Sequence, residues 1–359
     1  MTKLAITPPI SGVVGEEVAI PKIAFQFNED YLRFAIYQAL EQMDIKACLE
    51  PRFPIIRLGR RVIDAITGRR YLTDIRPDLL LCDLNCIWEV ENFWRSQLDI
   101  TKHIAEYCSL LGLEGRVITW LREGLEPSEK IVLVNPMTGE FVSKGDILRP
   151  SPPPPQELLI KYVTYCDYTL PTGSLHLWLQ YELFKFLRDQ GLMVSIEVPV
   201  GHPSGHVFAP DKMHISLRRG ILSWSPEKFT QYSYGAGPIE PAVRFDVVSV
   251  RPEDAKEVDI YEVKTLSDFK GRTKRESEKK CWNVLGQLAN YIRLGKARRF
   301  WLIIHKEPEE FTKMLAEFLK GSKVGLMVYS YPERTFEVLV EPKECEVKGQ
   351  ETMTILVTD

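Results

Sequence analysis

Two acidic residues and a lysine in the second half of the chain have the types and spacing of a cation-dependent hydrolytic site. Asp246 lies in the apolar run Arg-Phe-Asp-Val-Val, and Glu262 and Lys264 lie in the run Tyr-Glu-Val-Lys-Thr. Alternate residues of a strand share a face, so we expect Glu262 and Lys264 to point the same way, with Asp246 beside them on a paired strand. Two carboxylates and the Val263 carbonyl would offer the oxygen ligands that Mg²⁺ or Mn²⁺ prefers.

The predicted chemistry is metal-assisted phosphodiester hydrolysis, with Mg²⁺ or Mn²⁺ as the cofactor. A divalent cation lowers the pKa of water and neutralises charge that develops on the phosphate, and Lys264 would lie over the water to be activated. The alternative is a solvated strand face, in which Asp246 caps a turn. Glu-x-Lys also occurs at Glu278, Glu341 and Glu346, so the apolar strands around Glu262, and not the tripeptide, favour a site.

The elements that would position these residues can be read from apolar periodicity. Four consecutive prolines within Arg149–Gln156 favour an extended linker. Residues 174–191 then have helical spacing that ends at Gly191. Three strands, a basic helix, a buried strand, a helix and two closing strands follow at 193–200, 243–250, 258–266, 281–295, 298–306, 309–321, 324–330 and 336–342. Between the first two of these strands, residues 201–241 are rich in turn formers.

The same order of elements precedes the linker. A helix, three strands, a helix, a strand and a closing hairpin are predicted at 29–44, 46–58, 77–84, 86–93, 99–113, 116–124 and 130–144. We therefore predict an α/β protein with two tandem copies of one unit, each a mixed central sheet flanked by helices. The predicted domains are 1–148 and 157–359, joined by the Pro-rich linker 149–156.

This order, with the Asp…Glu-x-Lys residues, resembles the PD-(D/E)XK nuclease superfamily and its restriction-endonuclease-like core, over roughly residues 174 to 335. Gln287 and Tyr291 are one helical turn apart, and their Gln-x3-Tyr spacing is similar to that of the RecB-like branch, where it helps to hold substrate and site. The resemblance also implies an acidic metal ligand on the first helix, which would be Glu182. An added histidine ligand would be His202 or His206. The alternative for Gln287 and Tyr291 is ordinary helix packing.

A cluster of basic residues next to the predicted site indicates an anionic partner. The chain has a net charge of −3, so attraction to a polyanion has to come from local patches. The residues predicted to bind nucleic acid are Lys270, Arg272, Lys274, Arg275, Lys279 and Lys280. The alternative is a solvated basic helix.

The N-terminal copy has lost the lysine. Asp78 stands for Asp246, Glu89-Val90-Glu91 stands where Glu-Val-Lys is expected, and His103 and Tyr107 occupy the Gln-x3-Tyr positions. A glutamate in place of the lysine would repel hydroxide and phosphate. We predict a degenerate copy, kept for duplex binding or for docking a protein partner or a second copy of the chain. The alternative is a second, unusual active site.

Composition sets outer limits on function. A 45% hydrophobic and 26% charged chain is typical of soluble globular proteins, and no apolar run reaches a membrane span, so we predict a cytoplasmic protein without a membrane partner. Seven scattered cysteines without a Cys-x-x-Cys pair favour reduced thiols over a zinc site. We predict a deoxyribonuclease. A nucleic-acid-binding scaffold without turnover, and an RNA-directed nuclease, are the alternatives.

Overall fold

The computed structural model of the chain describes most of its residues. The described ranges are 4–9, 17–21, 29–54, 62–63, 70–71, 74–91, 97–154, 172, 174–200, 213–218, 221–226, 243–251, 253–347 and 352–358. The helices, numbered in chain order, are α1 (Glu29–Gln42), α2 (Gln97–Leu111), α3 (Leu175–Asp189), α4 (Leu266–Phe269), α5 (Lys274–Leu294) and α6 (Glu309–Leu319). The strands are β1 (Glu17–Pro21), β2 (Ala47–Leu49), β3 (Phe53–Pro54), β4 (Val62–Ile63), β5 (Arg70–Tyr71), β6 (Asp74–Ile75), β7 (Leu79–Leu81), β8 (Cys86–Glu91), β9 (Glu114–Trp120), β10 (Ile131–Val134), β11 (Phe141–Val142), β12 (Met193–Val200), β13 (Met213–Arg218), β14 (Ile221–Pro226), β15 (Val243–Arg251), β16 (Asp254–Val263), β17 (Arg299–His305), β18 (Val324–Ser330), β19 (Thr335–Val340) and β20 (Thr352–Thr358).

The fold is α/β, with two six-stranded mixed sheets flanked by helices. The chain divides into two compact units, the first made of Met1–Ser11, Phe27–Trp178 and Gly220–Leu222, and the second of Gly12–Gln26, Leu179–Arg219 and Ser223–Asp359. Each unit contains one of the six-stranded sheets. The predicted α/β class and the two mixed sheets are confirmed.

The sheet of the first unit has the strand order β11-β10-β9-β8-β7-β2. Strands β2, β7 and β8 are antiparallel neighbours, β8, β9 and β10 run parallel, and β11 turns back antiparallel to β10. Helix α2 packs Ile104 and Leu111 onto Ile87 and Val117 of the sheet. These side chains are fully buried or nearly so, and burial of this kind contributes about 1.5–3 kcal/mol for each large apolar side chain.

The sheet of the second unit repeats this topology strand for strand. Its order is β19-β18-β17-β16-β15-β12, with the same sequence of antiparallel, antiparallel, parallel, parallel and antiparallel pairs. Strand β8 therefore corresponds to β16, and β7 to β15. The repeated order of elements predicted from the two halves is confirmed.

Helix ends agree with their local sequence. Helix α5 begins after Thr273, whose side chain accepts a hydrogen bond from the Glu276 amide, and it ends at Gly295 with a φ of 62°. A threonine at the start and a glycine in the left-handed conformation at the end satisfy amides and carbonyls that lack helical partners. The elements predicted from residue 174 onward are present, with ends shifted by up to four residues, except that the basic helix begins at Lys274, seven residues before the predicted start.

Two sequence predictions about strands need correction. The first-unit strand predicted over 46–58 stops at Leu49, because Glu50 has a φ of 42° and leaves the extended conformation. The segment 201–241, predicted to be rich in turns, contains β13 and β14. These strands are neighbours in a separate four-stranded sheet of order β1-β20-β13-β14, in which β13 also pairs with the distant β20.

The start of the predicted linker packs on the first unit. The Ser151 amide donates to the Leu84 carbonyl at 2.8 Å, the Ser151 hydroxyl donates to Glu114 at 3.0 Å, and Ser151 is buried. Residues 155 and 156 lie outside the described ranges. The domain boundary within 149–156 stays a prediction.

One cysteine differs from expectation. Cys82 is disulfide-bonded, whereas Cys48, Cys86, Cys108, Cys281 and Cys345 are free. The prediction of reduced thiols is therefore wrong at Cys82. No helix in the described ranges is long and apolar enough to cross a membrane.

Candidate functional site

An open cavity of about 620 Å³ in the second unit collects the residues predicted to be catalytic. Its lining includes Asp246, Glu262, Lys264, Gln287 and Tyr291. Asp246 and Glu262 come from two antiparallel strands, Lys264 from the residue after the second strand, and the other two from α5. The five side chains that were separated by up to 45 positions in the sequence are thus brought to one place.

The Asp246 side chain accepts a backbone amide of β16 beyond the last residue pair of β15 and β16. The paired residues of β15 and β16 begin at Val247 and Tyr261, and beyond them the Asp246 carboxylate accepts the Val263 amide at 2.8 Å. This bond fixes the carboxylate against the end of β16.

The backbone at Val263 is oriented toward the same side. The Lys264 amide donates to the Ile303 carbonyl of β17 at 2.8 Å, so the peptide groups of the preceding residue face the opposite neighbour, β15. The Val263 amide does so through Asp246, and the Val263 carbonyl points to the same side of the strand. Two carboxylates and one carbonyl are therefore available together.

Glu262 is fully buried, and both of its carboxylate oxygens are hydrogen-bonded by the chain. Lys264 Nζ contacts Oε1, and the Tyr291 hydroxyl lies 2.9 Å from Oε2. Burial, together with the nearby charge of Asp246, raises the pKa of Glu262 to about 7. A cation that binds this carboxylate would replace both its proton and part of its contact with the ammonium.

Lys264 lies just past the end of β16, yet its side chain returns to Glu262 as predicted for one shared face. Burial works against its charge, but the carboxylates of Glu262 and Asp246 outweigh that effect and raise the pKa of Lys264. The side chain is 14% exposed. A charged ammonium therefore lines the cavity beside the Glu262 carboxylate.

Gln287 and Tyr291 lie on one face of α5 and form a chain of hydrogen bonds that ends at Glu262. Gln287 Nε2 donates to the Tyr291 hydroxyl at 2.6 Å, and that hydroxyl lies 2.8 Å from the Arg244 carbonyl. The Tyr291 ring packs edge-on against Phe245 at 4.6 Å between centroids. These contacts orient the tyrosine, and the tyrosine orients the glutamate, so the two residues hold the carboxylate in position.

Glu182 does not join this cavity. Its carboxylate pairs with Arg334, with Nε 3.1 Å from Oε2, and accepts from the Tyr329 hydroxyl at 3.3 Å. Glu262 is in register with Leu302, and Leu302 with Leu326, so Tyr329, three residues on, points to the opposite face of the sheet. A metal-ligand role for Glu182 is therefore corrected: α3 and α5 cover opposite faces, which helical periodicity does not reveal.

The two histidines proposed as added ligands cannot be placed. His202 and His206 lie outside the described residues. Within the described ranges, no group of three or more His, Cys, Asp or Glu side chains is arranged to hold a metal. Mg²⁺ is commonly held by one or two carboxylates, with water and phosphate oxygens completing its coordination, and the donors around Asp246 and Glu262 fit that requirement.

The basic residues lie beside the cavity at the start of α5. Lys270, Arg272, Lys274, Arg275 and Lys279 are exposed. Lys280 is tied down, since its ammonium donates to the Ser267 and Lys270 carbonyls at 2.7 and 3.1 Å. Arg298 and Arg299, which add to the basic count in the sequence, pair with Glu257 and Asp259. The accessible positive charge is therefore concentrated at the first turns of α5 and the turn before it.

The first unit has the same framework with different charges. The Asp78 carboxylate accepts the Val90 amide at 2.7 Å, as Asp246 accepts that of Val263. Glu89 and Glu91 flank Val90 and are buried. Burial, followed by the charge of Asp78, raises the pKa of Glu89 well above its ordinary range. The predicted correspondence of the two Asp…Glu-Val segments matches this shared hydrogen bond.

The tyrosine on the helix is also repeated. Tyr107 on α2 has a hydrogen bond with the backbone of Arg76, two residues before Asp78, and Tyr291 contacts the carbonyl of Arg244, two residues before Asp246. Burial, and after it the charge of Glu89, raises the pKa of Tyr107 to about 12. His103 lies on α2, and its side chain lies outside the described part of the chain.

Arg33 is the residue that sequence reasoning missed. Its buried guanidinium lies 2.6, 2.5 and 2.9 Å from the carboxylates of Asp30, Glu50 and Asp78. In the second unit Gln180 donates to Glu197 at 2.6 Å, across the same 17-residue separation that joins Arg33 and Glu50. Glu50 and Glu197 both have positive φ, at 42° and 50°. An alignment of the two halves on these glutamates would have paired Arg33 with Gln180.

Fold and site together define an α/β protein with a carboxylate pair and a lysine at the end of a mixed sheet. No known protein family, curated protein or solved structure matches the chain. Its function is therefore argued from the site itself.

Proposed function

We propose that the second unit is a restriction-endonuclease-like, PD-(D/E)XK-type nuclease that uses Mg²⁺ or Mn²⁺ to hydrolyse phosphodiester bonds of DNA. The observation that carries this proposal is the shared cavity of Asp246, Glu262 and Lys264, with Tyr291 and Gln287 bracing the glutamate. A buried carboxylate with a raised pKa next to a charged lysine is costly to keep unless it serves a site.

Each residue of the proposed site has its own role. Asp246, Glu262 and the Val263 carbonyl would hold the cation, which would supply a lowered pKa for water and positive charge opposite the phosphate. The Lys264 ammonium leaves Glu262 in part and donates to the attacking water or to a phosphate oxygen. Tyr291 keeps Glu262 in place during this exchange.

The basic turn before α5 and its first residues bind the backbone of the nucleic acid. Phosphate contacts of this kind provide affinity that does not depend on sequence and falls with salt. The first unit keeps the fold and lacks the lysine, so we assign it to duplex binding or to docking of a protein partner or a second copy of the chain.

The test is cleavage of end-labelled single- and double-stranded DNA with and without Mn²⁺. Wild type should cut only with the cation, and Lys264→Ala should not cut. Lys343→Ala is the matched control, because Glu341 and Lys343 form the same Glu-x-Lys tripeptide in an exposed segment. Cleavage that persists in Lys264→Ala, or that is lost equally in Lys343→Ala, would contradict the assignment.

A further inference from the structure

An exposed tryptophan stands in the lining of the catalytic cavity. Trp282 on α5 is 71% exposed, the largest exposed fraction among the large apolar side chains in the described ranges. It borders the same cavity as Glu262 and Lys264. An indole that contributes little to the core and adjoins a polar site is unusual, because large aromatic side chains are normally mostly buried.

The helix face next to Trp282 is open and polar. Asn283, Gly286 and Asn290 line the cavity on successive turns of α5 and are exposed. Trp282, Gly286 and Asn290 are four residues apart, so about 6 Å of helix axis separates each from the next. The face thus offers an aromatic plane, a gap and two amides that can donate and accept hydrogen bonds.

Gly286 has no packing reason to be a glycine. A Cβ built at this position meets nothing within 4 Å, and a glycine inside a helix costs about 0.5–1 kcal/mol relative to alanine. The absence of a side chain leaves free surface beside the indole. A flat ring could lie there against Trp282 with its edge toward Asn283 or Asn290.

From this arrangement we infer that Trp282 is a stacking platform for an unpaired nucleobase next to the scissile phosphate. The substrate class is then nucleic acid with a single-stranded or extruded nucleotide at the cut site. This inference rests on the proposed nuclease function. It commits the site to a base because the indole lies between a catalytic cavity and exposed cations at the start of the same helix, and unpaired bases stack on aromatic side chains in basic grooves.

The test is a binding measurement by fluorescence anisotropy. It is made in EDTA, so that the probes are not cleaved and the result does not depend on catalytic activity. The probes are a labelled oligothymidylate of about 12 nucleotides, the same oligonucleotide with abasic positions, and a closed duplex without free ends. Trp282→Ala should weaken binding of the oligothymidylate about tenfold, since stacking on one aromatic side chain is worth about 1–3 kcal/mol per base. Trp282→Phe should stay within about threefold of wild type, because phenylalanine also stacks.

Gly286→Leu is the second variant, because it fills the gap and leaves the indole in place. It should weaken binding of the oligothymidylate as Trp282→Ala does. For the abasic oligonucleotide, both variants should have the affinity of wild type, and the same should hold for the duplex. An unchanged affinity of Trp282→Ala for the oligothymidylate would overturn the inference. So would an equal loss on all three probes, which would instead favour an apolar protein partner or a structural role.

The two proposals fail separately. Absence of Mn²⁺-dependent cleavage by wild type, with the binding pattern above intact, would overturn the nuclease assignment and leave a base-binding surface. The stacking platform would be overturned if Trp282→Ala matched wild type both in Mn²⁺-dependent cleavage and in its affinity for each of the three probes. That result would leave the nuclease assignment intact. Trp282 is exposed, so its variants should keep the wild-type thermal unfolding midpoint.

Discussion

Arg33 and Asp78 form a buried ion pair at 2.9 Å in the first unit, at the position where the second unit has the neutral Gln180 near its own carboxylates. The guanidinium also meets Asp30 and Glu50. Burial opposes its charge, but these three carboxylates outweigh that effect and raise the pKa of Arg33. In the first unit the acidic cluster is therefore balanced by Arg33, whereas in the second unit Lys264 pairs with Glu262.

Arg33→Met should destabilise the first unit strongly. Removing one partner of a buried ion pair leaves uncompensated charge and costs about 3–5 kcal/mol. The free energy of unfolding from urea titration measures the effect. Lys313→Met, which breaks the exposed pair with Glu309, is the control and should change stability by less than about 1 kcal/mol. Equal small effects of both variants would show that Arg33 does not carry the balance of charge.

Glu89→Gln with Glu91→Gln keeps the Arg33–Asp78 ion pair and should leave cleavage per bound substrate unchanged, because the first unit lacks the lysine. The measurement is the ratio of nicked to linear plasmid beside Lys264→Ala. One live site predicts a wild-type ratio from the double variant and no cleavage from Lys264→Ala. Accumulated nicks from both variants would mean that each unit cuts one strand.

Cation affinity should rise with pH through about 7. Glu262, with its pKa raised to about 7 by burial and by Asp246, must lose its proton to bind a cation, so Mn²⁺ affinity should fall about tenfold from pH 8 to pH 6. In the metal-free protein, the raised pKa of Glu262 affects the free energy of unfolding. Its stabilising contribution is present at low pH, where the carboxyl group is protonated, and is lost as the pH rises through 7. Calorimetric titration at three pH values checks the first effect, with Glu341→Gln as a control that should keep the dependence. An affinity that stays flat from pH 6 to pH 8 would contradict this role of Glu262.

The basic residues at the start of α5 should lower the free energy of unfolding and contribute to the affinity for nucleic acid. Lys274 and Arg275 lie at the positive end of the helix dipole, which disfavours each cation by about 0.3–1 kcal/mol. Lys274→Glu with Arg275→Glu should therefore raise the free energy of unfolding, weaken nucleic-acid binding and flatten its dependence on salt. Lys313→Glu on α6 with Lys320→Glu just after its last residue makes the same charge change and should leave the salt slope unchanged. An unaltered slope in the first variant would mean that these cations are only solvated.

Sequence periodicity was sufficient for the order of elements because each strand and helix carries its own apolar pattern. The Asp246, Glu262 and Lys264 site followed from that order, since neighbouring strands were assumed to pair. Long-range relations were beyond it. The pairing of Glu182 with Arg334 depends on which face of the sheet α3 covers. The sheet that contains β13 and β14 forms through the pairing of β13 with β20, more than 100 residues later in the chain.

The site residues that were missed have ordinary local sequence. Trp282 lies in a helical run where an aromatic residue normally predicts packing, and only its exposed fraction of 71% in the folded chain distinguishes it. Arg33 lies in an amphipathic helix, where an arginine normally predicts solvent exposure. It is buried, and it pairs with Asp30 of its own helix and with the distant Glu50 and Asp78. Charge balance of this kind is a property of the folded unit.

The most direct test of the central claim is calorimetric titration with Mn²⁺, because it requires no choice of substrate. Wild type should bind the cation, Asp246→Ala and Glu262→Ala should bind it at least tenfold more weakly, and Lys264→Ala should keep binding while it loses cleavage. Glu182→Ala serves as the control, since that carboxylate pairs with Arg334 on the other face of the sheet. Equal Mn²⁺ affinity in wild type and both carboxylate variants would contradict a cation site at Asp246 and Glu262.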